Sequence, residues 1–424
     1  MALFLSSMFY TAVSSADCQV DAPAKRTRIN ILSNSFPVVD YFADEMKKCG
    51  ENARTLQMRA RLTPEHLELK KLALPAKGNA PYQIMQVSNS DFEEFVAKGW
   101  VAPITDLVAK YRSEYNLNDI PQYFWDGVTR NGEIYAVPIQ QNLQHFFYRK
   151  DLFDKHNIAA PNSYAEVIAA ASQLQGTEVD YPVAHAFGRG WNLATEFTNI
   201  YLSLDGQWFD NNLNPVFHTD GKGEQAIALL AQLLEHASPN ALSFSSDDVM
   251  VAFQQGKAAM GNVWATRAGN MDDPEVSTVV GEVFFAHAPF TSTPTIPASS
   301  GFWDGYMIPA NVDPELRELA FQIILEATDQ ESMTGAGALG GFLSRESITS
   351  DPTFVAKNRH WPAMLATVKE GVRAYPGTPH FGLAHTALGT NVADALAGQI
   401  SARDALNKAA AEYIAEAKAK GFIK

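Results

Sequence analysis

Apolar and polar positions alternate through residues 132–151, GEIYAVPIQQNLQHFFYRKD, in a pattern that predicts two strands with an amide cluster between them. Ile134, Ala136 and Pro138 alternate with Tyr135 and Val137, Gln140, Gln141 and Asn142 interrupt, and His145 to Tyr148 resume the aromatic character of a strand. Pro138 argues for an edge or crossing segment, because it cannot donate to a ladder. Side-chain amides donate and accept without charge, which suits the hydroxyls of a neutral polyol better than a phosphate or carboxylate. A solvated turn is the competing reading.

Upstream, TRINILS at 27–33 alternates as a short strand, followed by an amphipathic helix reaching Lys48. A second strand is expected at 54–61, and Thr63 opens a helix with Pro64 first and Glu65 in its first turn. Residues 82–87 form an apolar strand ending in Ser88, Asn89, Ser90 and Asp91, the last capping a helix over FEEFVAKG. Strands alternating with helices predict a parallel α/β sheet, whose ligands bind at the carboxyl ends of strands. Asn34, Ser35, Ser88 and Asn89 fall at such ends.

From residue 162 the pattern is mostly helical, with Ser163 as a cap and helices near 194–204 and 224–236, which reads as a second lobe. Ser245 or Ser246 caps DDVMVAFQQ, Gly256 ends it, and a strand at 257–264 delivers Trp264 to its far end. GFWDGYMIP at 301–309 is again apolar and places Trp303 and Asp304 between two glycines. Helices are expected at 314–328 and 401–418.

At 424 residues the chain exceeds the roughly 250–300 at which single cores stop growing, so two lobes are expected. A net charge of -14 and a pI near 5.2 disfavour nucleic acid and anionic bilayers as partners. Residues 1–16 carry no charge and finish with Ser14 and Ala16, which reads as an export signal peptide cut after Ala16. Cys18 and Cys49 are the only cysteines. In an oxidising compartment they form one disulfide tying the mature N-terminus to the end of the first helix, the alternative being two free thiols.

Catalytic motifs are missing: the chain holds no GxSxG, P-loop, HExxH or paired CxxC, so neither covalent chemistry, cofactor nor metal is expected. GAGALGG at 335–341 follows a helix where a dinucleotide loop follows a strand. His380 and His385, five apart, read as surface or packing residues. Trp191, Trp264 and Trp303 each lie beside polar residues, as in a sugar site, where a C–H face packs on an indole and neighbours take the hydroxyls. Core packing competes at each. Arg345, in LSRES, suits either vicinal hydroxyls or a structural carboxylate.

The chain resembles the extracellular solute-binding proteins of bacterial ABC sugar importers, the maltose-binding-protein-like family 1. The resemblance rests on NAPYQIMQVSNSDFEEFVAKGWVAPITDLV, GEIYAVPIQQNLQHFFYRKDLFDKHNIAAPNSYAEV, VAFQQGKAAMGNVWAT, SGFWDGYMIPANVDPELRELAFQIILEATD and VADALAGQISARDALNKAAAEY, in the family's order. It implies a two-lobed α/β periplasmic binding protein fold of type II with crossovers near 139–142, 284–291 and 327–334. The N-terminal lobe is then 17–139 plus 288–330, and the C-terminal lobe 140–287 plus 331–424.

Ligand positions carried over are Asn34, Ser35, Ser88, Asn89, Gln140, Gln141, Asn142, Trp264, Trp303 and Asp304, with Trp191 and Arg345 added. Asn89 stands where many relatives are acidic, and Gln141 replaces a carboxylate seen in some. The function implied is a monomeric periplasmic carrier that closes around a mono- or oligosaccharide or related polyol and delivers it to ABC transporter permease subunits. One alternative is a polyamine or other small cation as ligand. Another is a secreted carbohydrate-active enzyme, which needs two carboxylates ~5–10 Å apart.

Overall fold

The computed structural model describes residues 18–291, 296–339 and 341–423, so the expected signal peptide at 1–16 lies outside the described residues. In chain order the strands are β1 (Thr27–Ser33), β2 (Leu56–Leu62), β3 (Ile84–Ser88), the hairpin β4 (Thr129–Arg130) and β5 (Glu133–Ile134), β6 (Val137–Asn142) and β7 (Gln144–Arg149). They continue as β8 (Tyr181–Val183), β9 (Ala258–Trp264), β10 (Val283–Ala286), β11 (Ser300–Met307), β12 (Phe342–Leu343) and β13 (Arg373–Ala374). Helices fill the intervals and the C-terminal region.

Two sheets result. The first has the order β12-β6-β11-β3-β1-β2, with β13 added beside the start of β11; the second has the order β10-β7-β9-β8. In the first, β1 runs parallel to β2 and β3, as the strand–helix alternation predicts, while β11 lies antiparallel between β3 and β6. A register shift between Asp304 and Gly305 sits opposite Pro138, so the missing N–H falls where the ladder is already irregular.

Each sheet buries its own core. Ile29, Ile31 and Leu32 share the first core with one face of helix Pro37–Asn52, which contributes Val38, Val39, Phe42, Met46 and Cys49. The second core collects Phe146, Phe153, Val167, Phe197, Leu230, Leu388 and Tyr413. Ser163 and Glu166 form a capping box for helix Tyr164–Leu174, and Ser245 with Asp248 does the same for helix Ser246–Gln254. A disulfide joins Cys18 to Cys49.

The chain passes between the sheets three times. Leu143 alone separates β6 from β7, and the second passage leads from β10 to β11. The third differs from expectation. Met333, Ala336, Leu343, Ile348, Phe354, Trp361 and Met364 all pack in the first core, and β12 is the edge strand beside β6, so 331–354 belongs with the first lobe, while helix Trp361–Lys369 also lies against β7 and β10 of the second sheet. The chain recrosses only after Val372, at β13, and Tyr375 enters the second core. Ala298, expected in the first lobe, packs in the second core. Among the described residues no helix is long and apolar enough to cross a membrane.

Candidate ligand cleft

A cleft of about 520 Å³ opens between the two cores. The first supplies Asn34 and Ser35 from the end of β1, Gln86 and Ser88 from β3, Asp91, His66 and Glu68. The second supplies Trp191 and Asn192 from the start of helix Trp191–Ser203, Ser245, Ser246 and Asp247 from the next helix entrance, Trp264 from the end of β9, and Arg267. Asn142, Phe302 and Asp304 come from the crossing strands.

One wall is aromatic. Trp191 is 43% exposed and its ring lies 6.2 Å from that of Trp264 at 25°, nearly parallel. Phe302 meets Trp264 edge-on at 5.1 Å and is backed by Tyr375 at 4.3 Å. His385 adjoins Trp191 at 5.9 Å, and burial pushes its imidazole down to about 3, so it is neutral at physiological pH.

The opposite side is polar and held from beneath. Lys70, fully buried, donates to Asp91 Oδ2 at 2.9 Å, while Asp91 Oδ1 accepts from the Ser88 N–H. Gln86 and Gln140 each donate an amide N–H to Asp304, at 2.9 Å to Oδ1 and 2.9 Å to Oδ2. Burial raises the Asp304 carboxyl to about 6; the two amides pull it down, and nearby Asp91 pushes it up. Burial and Lys70 press the His66 imidazole down to about 2. Arg267 donates to Asp247 Oδ1 at 2.9 Å and Thr266 Oγ1 at 3.0 Å, and its guanidinium lies 5.5 Å from the Phe36 ring of the first lobe.

Seven of the twelve residues singled out from sequence line this cleft: Asn34, Ser35, Ser88, Asn142, Trp191, Trp264 and Asp304. Five do not. Gln140 is buried and points at Asp304 beneath the surface, and Gln141 projects from the opposite face of β6, since alternate strand residues face opposite ways. Trp303 is turned away for the same reason and packs edge-on against Phe92 at 5.1 Å in the first core. Asn89 donates to the Gly301 carbonyl at 3.1 Å, and the chain at Gly377 presses so close that a Cβ there would lie 1.6 Å from the Asn89 carbonyl oxygen. Arg345 is buried, donating to the carbonyls of Thr328, Tyr115 and Asn116 and lying 3.9 Å from Asp119. Its structural reading holds.

Sequence reasoning passed over Phe302, Arg267, Gln86 and His385 as cleft residues. Phe302 carried a usable signal, being two positions before Asp304 and therefore on its face of β11. For Arg267 and His385 no local pattern pointed to a cleft.

Two α/β lobes joined by three passages, with a ligand-sized cleft between them, define the type II periplasmic binding protein fold. The model of the bacterial extracellular solute-binding protein family matches residues 71–315, and the chain belongs to that family. It is 28% identical to the mannitol-binding protein of Pseudomonas aeruginosa over 202 residues, 46% of this chain and 44% of that protein, so the match spans less than half of that relative's length. Among solved structures it resembles an ABC transporter solute-binding protein from Agrobacterium radiobacter K84 in complex with ribitol, with a TM-score of 0.84, 22% identity, and coverage of 92% of this chain and 99% of that one. A second, from Agrobacterium vitis S4 with bound D-mannitol, has a TM-score of 0.81, 21% identity, and coverage of 93% and 99%. At these identities the likeness to the solved structures speaks for the fold.

Proposed function

We propose that this protein is the periplasmic solute-binding component of an ABC importer, that its cleft takes a neutral carbohydrate or polyol, and that it delivers this ligand to permease subunits as a monomer. The observation that carries the reading is the pairing of an indole and phenyl wall, Trp191, Trp264 and Phe302, with a polar wall of Asn34, Ser35, Ser88, Asn142 and Asp304. A sugar or polyol presents C–H groups to the first and hydroxyls to the second.

Charge supports an uncharged ligand. Glu68, Asp91, Asp247 and Asp304 line the cleft and disfavour an anion, while Arg267 lines it too and opposes a polyamine or other cation. The carboxylates are engaged in holding the site, Asp91 by Lys70, Asp247 by Arg267 and Asp304 by two amides, which suits binding rather than proton transfer. A relative named for mannitol and a structural neighbour solved in complex with ribitol point the same way.

The test is a thermal-shift and calorimetric screen of the mature protein against D-mannitol, ribitol, maltose, sugar acids and spermidine. The reading expects saturable stabilisation by a neutral member and no turnover of oligosaccharides. Stabilisation by spermidine alone, or cleavage of an oligosaccharide, overturns it.

A further inference from the structure

Arg267 and Asp304 reach the cleft from different lobes. Arg267 belongs to the turn that follows β9, and Asp304 to β11 of the first sheet. Both line the cavity and both are nearly buried. Their charges attract across the gap, yet among the described residues no ion pair joins them. Each also has hydrogen-bonding capacity left over. The Arg267 guanidinium donates one N–H from each Nη, to Thr266 and to Asp247, which leaves a second N–H on each Nη. Each Asp304 oxygen accepts one amide N–H, leaving further lone pairs on an ionised carboxylate.

Donors on one side and acceptors on the other select a narrow class of group. An ether oxygen or carboxylate accepts from arginine but gives nothing to the aspartate; an ammonium does the reverse. A hydroxyl does both. Resting on the cleft reading above, we propose that Arg267 and Asp304 form a two-sided clamp on a single ligand hydroxyl, Arg267 donating to its oxygen and Asp304 accepting its hydrogen. Arg267 is thereby a specificity-determining residue, and the clamp is complete only when ligand bridges the lobes. A ligand lacking that hydroxyl leaves an Arg267 N–H and an Asp304 lone pair without a partner in a closed site, which is the situation in which binding sites discriminate most strongly.

Calorimetry with D-mannitol, ribitol and maltose as probes tests the clamp, using wild type, Arg267→Gln, Arg267→Lys, Asp304→Asn and the double Arg267→Gln/Asp304→Asn, with unfolding midpoints to show that each is folded. For a probe that binds wild type, each Gln or Asn variant is expected to lose about 30- to 100-fold in affinity, Arg267→Lys nearly as much, and the double variant little beyond the worse single one. Wild type should also disfavour one member of a panel of mono-deoxy analogues of that probe by about 100-fold, with both single variants treating it within about threefold of the parent. Independent, additive losses, or undiminished discrimination in the folded variants, overturn the clamp while leaving the cleft reading in place. Failure of all three probes to bind wild type overturns that reading and the clamp with it.

Discussion

Phe302 and Trp303 are adjacent in the chain and face opposite sides of β11: the first meets Trp264 in the cleft, the second meets Phe92 in the core of the first lobe. Their replacement should therefore separate two properties that a shared site would lose together. Phe302→Ala is expected to cost about 2 kcal/mol of ligand affinity, as a buried aromatic contact does. Trp303→Ala should cost about 2–4 kcal/mol of folding stability, with affinity at 25 °C little changed. Calorimetry and denaturant melts on both variants check this, and a large affinity loss in Trp303→Ala would return that indole to the site.

Asp304 should make stability depend on pH. Its carboxyl is raised from 3.8 to about 6, so between those values the folded protein holds a proton that the unfolded chain has lost, and stability from this group falls as pH rises through that window. At roughly 1.4 kcal/mol per unit, the full cost above pH 6 is about 3 kcal/mol. Asp304→Asn, which cannot ionise, is expected to be more favourable relative to wild type at pH 7.5 than at pH 4.5 by about 2 kcal/mol, because at pH 4.5 the unfolded carboxyl is already mostly ionised and about a third of the cost is present. Urea melts of both proteins at the two pH values measure it; an equal difference at both would falsify the assignment.

The buried pair of Lys70 and Asp91 holds the loop after β3. Lys70→Met leaves Asp91 buried without its cation, and about 3–5 kcal/mol of stability should be lost. Differential scanning calorimetry tests this, and a midpoint within two degrees of wild type contradicts it.

How much of this was legible beforehand varies with the length scale of the signal. Alternating strands and helices up to Asp91 set out the parallel strands β1, β2 and β3, and the segment resemblance implied the two-lobed fold. The cleft residues found were those at strand ends and helix starts, such as Asn34, Ser88, Trp191 and Trp264, where position along an element already implies exposure at its tip. Errors came where neighbours were treated as one group: a strand cannot present Trp303 with Asp304, or Gln141 with Asn142, to the same side. The stretch 331–354 was assigned to the wrong lobe because apolar periodicity shows that a helix packs, without saying against which sheet. Arg267 became visible only when Phe36, Asp247 and Asp304, far away in sequence, stood around it.

The disulfide closes a loop of 31 residues in sequence separation and restricts the unfolded chain. Reduction should lower stability by about 3–4 kcal/mol, read as a fall in urea midpoint with and without dithiothreitol. Coincident curves, with full thiol titration in the reduced sample, would count against a stabilising role.

Leu143 is the whole length of the first passage, with its N–H taken by the Asn142 side chain at 3.0 Å and its carbonyl by the Ala265 N–H at 2.9 Å. A joint one residue long offers only two soft torsions, and both are already tethered by hydrogen bonds. Of the three passages this is the shortest, so a swing of one lobe against the other has to be taken up here by those two torsions. Asn142 lines the cleft and its side chain is bonded to that same joint, so the wall of the cavity and the connection between the lobes share one residue.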